Sequence, residues 1–77
     1  MSPALPLRRE GQGTVVSFDE QVGLGEVADG LLRYPFHCTQ IADGSRSIAV
    51  GTPVSFLRIP AHHGRWEAAD LRPAGGA

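Results

Sequence analysis

GTVVSFDEQVGLGEV, residues 13–27, is the stretch that decides the fold. A β-branched and aromatic run, TVVSFD (14–19), gives way to polar residues and then to two glycines around a leucine. The first run reads as a strand, and GEVAD (25–29) as a second. The Gly23-Leu24-Gly25 triplet does not read as a phosphate loop, because it lacks the third glycine of that fingerprint and a helix to follow it. As backbone glycines in a strongly coiled strand, Gly23 and Gly25 fit a small barrel.

Working outward, Asp29-Gly30 is a tight-turn pair leading into LLRYPFHC (31–38), a third strand. Proline has no N–H for the ladder, so Pro35 is expected at an edge or a bulge. Residues 39–51 form the longest connection, with Ile41 and Ile48 as anchors and room for a helical turn at 39–42 or 47–50. TPVSFLRI (52–59) is the fourth strand, with Val54, Phe56 and Arg58 alternating against Ser55 and Leu57. RWEAADLR (65–72) is the fifth, although its alanines and acids also permit a short helix. The expected strands are thus 13–19, 24–29, 32–38, 52–59 and 65–72. Residues 1–12 read as a flexible arm, 13–72 as one small domain, and 73–77 as a flexible tail. Short strands without a helical period predict an all-β antiparallel meander closed on itself, which is how a small sheet hides its edges. Val15, Phe18, Val27, Phe36, Ile41, Ile48, Val54, Phe56 and Leu71 are its expected core.

The chain has 77 residues and a net charge of −1, with no lysine. That balance counts against a strong, non-specific phosphate binder. One cysteine, Cys38, excludes an internal disulfide and suits a reducing, cytoplasmic setting. The first twelve residues do not read as a signal peptide, and no apolar run is long enough to cross a membrane. Cys38, His37, His62 and His63 have no metal-ligand spacing, and Cys38 has no triad partners beyond its neighbour. Neither a metal, a cofactor nor an enzyme activity is expected.

The order of motifs resembles the bacterial cold-shock domain. That family has a first RNA-binding motif of the form Lys-Gly-Phe-Gly-Phe-Ile, and here Val22-Gly23-Leu24-Gly25-Glu26-Val27 stands in its place. Ser17 occupies the family's tryptophan position, Phe18 keeps the second aromatic, and Asp19 replaces an asparagine. The second motif, Val-Phe-Val-His-Phe, aligns with the stretch from Tyr34 to Ile41; His37 and Ile41 are retained, while Pro35 and Cys38 stand where phenylalanines are expected. Gly51, Val54 and Phe56 match the entry to the fourth strand, Gly64 and Ala68-Ala69-Asp70-Leu71 the end of the domain, and Ser45 the position of a loop aromatic. The resemblance implies a small five-stranded antiparallel OB-fold barrel that binds single-stranded RNA or DNA by stacking bases on surface aromatics.

The departures fall on that binding surface, so binding is expected to be weak, as in an RNA chaperone or regulator with a reduced aromatic face. The residues expected to carry it are His37, Phe18, Tyr34 and Trp66, with Arg33, Arg46, Arg58 and Arg65 for phosphates. Glu26 is expected on the same face as His37, opposing phosphate. The alternative is a protein-interaction or structural domain that has lost nucleic-acid binding, with a protein partner in place of the oligonucleotide.

Overall fold

The computed structural model describes residues 9–61 and 64–74. Five strands follow in order: β1 (Glu10–Asp19), β2 (Leu24–Asp29), β3 (Leu32–His37), β4 (Pro53–Pro60) and β5 (Trp66–Pro73). Each lies close to its expected span, and the ambiguous last segment is a strand. A single 3-10 turn, Cys38–Gln40, follows β3. Of the expected N-terminal arm, Glu10, Gly11 and Gln12 belong to β1, where they pair with Leu57, Phe56 and Ser55; residues 1–8 lie outside the described residues. His62 and His63 also lie outside them.

β1 is long because it serves two partners. Its first half pairs with β4 and its second half with β2, both antiparallel. Between Val15 and Ser17 the register against β2 slips, leaving Val16 as the extra residue of a bulge that bends the strand from one partner to the other. The opening glycines have separate structural reasons. Gly23 has φ 79, in the left-handed region that a side chain disfavours. At Gly25 an added Cβ would lie 2.6 Å from both the Phe36 ring and the Ser17 carbonyl oxygen, so the backbone crosses the core with no room for one. β2 and β3 are joined through Gly30 (φ 62) and Leu31, with Asp29 opposite Leu32. A glycine with positive φ in a two-residue loop matches the twist of a hairpin.

The sheet order is β3-β2-β1-β4-β5. β3 and β5 approach one another, but they do not pair as strands. Beyond the strands, Ile41 and Leu71 form an isolated parallel bridge, and the Ala42 N–H donates to the Leu71 carbonyl at 2.8 Å. The expected closed OB-fold barrel is therefore corrected to an open five-stranded sheet, curled so that its edges near each other at one end. Pro35 supplies a physical reason. The Cys38 N–H donates to the Gly23 carbonyl, so even-numbered residues of β3 point their backbone groups toward β2 and odd-numbered ones toward the open edge. Pro35 falls on that edge, where it removes a donor that closure would use. β5 is irregular as well. Its register slips against Ser55–Leu57, and Asp70 takes φ 52.

The core lies inside the curl. Val15, Val27, Tyr34, Phe36, Ile41, Val54, Phe56, Ala68 and Leu71 form one cluster, with Phe18, Cys38 and Ile48 packed partly buried against it. Burying one of the larger apolar side chains contributes roughly 1.5–3 kcal/mol. Tyr34 is the residue the expected core omits. It sits opposite Val27 and two residues from Phe36, in phase with the inward side of β3.

Candidate interaction groove

The hairpin geometry sorts the expected binding residues into two faces. Phe18 lies opposite Gly25 and Tyr34 opposite Val27, both inward. Phe18 stacks on Phe36 with ring centres 5.9 Å apart. Tyr34 is 7% exposed and packs against Phe56, ring centres 5.4 Å apart. Ser17, Leu24, Glu26, Pro35 and His37 share the outer face, since Ser17 is opposite Glu26, Glu26 opposite Pro35, and Leu24 opposite His37. Glu26 and His37 therefore stand on one surface. The expectation of an aromatic face for stacking bases is corrected: register turns Phe18 and Tyr34 inward, and the outer positions carry serine, leucine, glutamate, proline and one histidine, His37.

His37 has local work. Its Nδ1 accepts the Thr39 N–H at 3.2 Å and lies 2.9 Å from the Thr39 hydroxyl, capping the 3-10 turn.

The four expected arginines are not gathered into one patch. Arg58 crosses the interior end of the sheet. Its Nε donates to the Tyr34 hydroxyl at 3.2 Å, Nη1 to the Glu10 carbonyl at 2.6 Å, and Nη2 to Asp29 Oδ2 at 2.9 Å. Its guanidinium carbon lies 5.6 Å from the centre of the Tyr34 ring and 5.7 Å from that of Phe56. The Tyr34 hydroxyl, and after it Asp29, raise the Arg58 pKa above its ordinary value against the opposing effect of burial. Arg58 borders a hollow that also holds Glu10, Asp29, Asp70 and Arg72, a mixed lining that does not select anions. Arg46 is exposed in the long connection with φ 61.

Arg33 and Arg65 do come together. With Leu32, Pro35, Trp66 and Glu26 they line a groove of about 580 Å³, with Tyr34 also on its wall. The groove lies where the two sheet edges stay apart, between β3 and the start of β5. Its apolar walls are open to solvent: Leu32 is 58% and Trp66 39% exposed. Leu31, at the hairpin tip, is completely exposed, and Leu24 is half-exposed on the outer face. Arg33 Nη1 lies 3.7 Å from Glu26 Oε1, an exposed ion pair. The sequence reading names Trp66, Arg33 and Arg65 but omits Leu32 and Pro35 as lining. The signal was the Leu31-Leu32 pair immediately after an Asp-Gly turn, a place that folding does not bury.

Among the described residues no three His, Cys, Asp or Glu side chains converge to hold a metal ion, and no helix is long and apolar enough to cross a membrane. No family model matches the chain, and no curated protein matches it. The likeness to cold-shock domains thus rests on the residues quoted above.

Proposed function

We propose that this chain is a protein-interaction domain that binds another polypeptide in the groove between β3 and β5. The observation that carries the reading is the half-exposed Trp66 facing Leu32 and Pro35 across an open seam. Apolar surface gathered in a concavity and rimmed by charge is the usual form of a binding site. Tryptophan and arginine are also the residues that most often dominate protein–protein contacts. Supporting the choice of polypeptide over nucleic acid, Phe18 and Tyr34 pack inward and Glu26 occupies the groove. Pro35 leaves the β3 edge one donor short, which disfavours adding a partner strand there and leaves recognition to side chains.

Site-specific photo-crosslinking in the host cell tests this. Benzoylphenylalanine at Leu32 is expected to yield covalent adducts with polypeptide, while the same group at Val50, also exposed but outside the groove, yields far fewer. Trp66→Ala in the Leu32-labelled chain is expected to abolish the adducts. Equal yields at both positions, or adducts made mainly of nucleic acid, would contradict the proposal.

A further inference from the structure

The groove holds one cation that its own ion pair does not neutralise. Glu26 is engaged by Arg33 at 3.7 Å. Arg65 lies exposed just before Trp66 and makes no ion pair among the described residues. A guanidinium beside an apolar wall is matched by a carboxylate next to an apolar side chain, because the planar fork takes both carboxylate oxygens at once. We infer that the groove selects a polypeptide segment carrying an aspartate or glutamate beside a large apolar residue, with the carboxylate on Arg65 and the apolar residue between Trp66 and Leu32.

This inference rests on the polypeptide-binding reading above and adds the partner's chemistry. A basic segment would place like charge on Arg65. A neutral one would leave Arg65 to be desolvated without a partner, at a cost. A nucleic-acid strand brings a run of phosphates, whereas among the described residues the groove offers one cation beyond its Arg33–Glu26 pair.

The test is selection of a random twelve-residue displayed peptide library on the folded protein, with selected peptides then measured by fluorescence of Trp66, the single tryptophan of the chain. Peptides pairing an acidic residue with an adjacent large apolar one are expected to be enriched. Arg65→Glu should weaken such a peptide by about five- to tenfold, and replacing the peptide's acid with lysine should restore binding to that variant. Enrichment of neutral or basic peptides, or unchanged affinity in Arg65→Glu, overturns the acidic specificity while leaving a polypeptide groove. No enrichment that depends on Trp66 removes the groove reading itself, and the inference with it. A ten-nucleotide single strand that displaces the selected peptides would likewise overturn both.

Discussion

Arg58 on β4 and Arg65 just before β5 are seven positions apart in sequence, yet their surroundings are opposite. The Arg58 guanidinium is tied to three strands: Tyr34 on β3, Asp29 on β2 and the Glu10 carbonyl on β1. Its side chain is only 14% exposed. Arg65 is exposed, with Trp66 and Leu32 partly bare beside it. The difference follows from the sheet. Where β1 to β4 are hydrogen-bonded neighbours, a long side chain on β4 can reach across the sheet and satisfy several acceptors. Where β3 and β5 fail to pair, side chains border a gap. One arginine holds the fold together, and the other is left to meet a partner.

Substitutions on the two sides should therefore separate stability from binding. The largest effect is expected at Phe56, which is 2% exposed and packed on Tyr34. Phe56→Ala should cost about 3–5 kcal/mol of unfolding free energy, read as the urea midpoint by circular dichroism; an unchanged midpoint would show that this end of the core does not support the fold. Arg58→Met keeps much of the packing but leaves the Tyr34 hydroxyl and Asp29 without their donor. It is expected to cost about 1–3 kcal/mol in the same measurement. A smaller loss than from Arg65→Met would reverse the contrast. Arg65→Met itself should lie within about 0.5 kcal/mol of the parent, as an exposed residue outside the core.

The smallest effect concerns pH. Asp43 is held below the ordinary aspartate value by the Ser45 backbone N–H and hydroxyl. Such a depressed pKa favours the folded loop above the ordinary aspartate value, and the contribution is lost as pH falls through the depressed one. Acid titration should move the Ser45 amide resonance with a midpoint below that of an ordinary aspartate, and Asp43→Asn should abolish the movement. The same movement in the Asp43→Asn variant would show that another group drives it.

Much of the fold was legible in the sequence, because β-branched runs punctuated by Asp-Gly and proline mark strands and turns directly. The Asp29-Gly30 hairpin and the strand over Trp66–Pro73 are of this kind. Closure was not legible. It depends on how β3 and β5 present their edges: Pro35 turns its missing donor outward because of the register with β2, and β5 slips against β4 and bends at Asp70. Tyr34 shows the same limit, since one residue of register decides whether an aromatic is a platform or core, whereas Phe18 packs against the core as the pattern of β1 suggested. The Val16 bulge shifts that register within β1. Trp66 was named as a surface aromatic, but its neighbours in the groove come from β3, more than two dozen residues earlier in the chain. A groove between two strands that do not pair leaves no periodic mark in either.

Trp66 serves a partner and not the fold, and one paired measurement tests this. For Trp66→Ala, the urea midpoint and the calorimetric affinity for a library-selected peptide are determined on the same preparation. The expected result is a loss of unfolding free energy of at most about 1 kcal/mol, with binding weakened at least tenfold, in keeping with a tryptophan hot spot. Unchanged affinity, or a variant that unfolds as readily as Phe56→Ala, would contradict the division between a supporting end and a binding end.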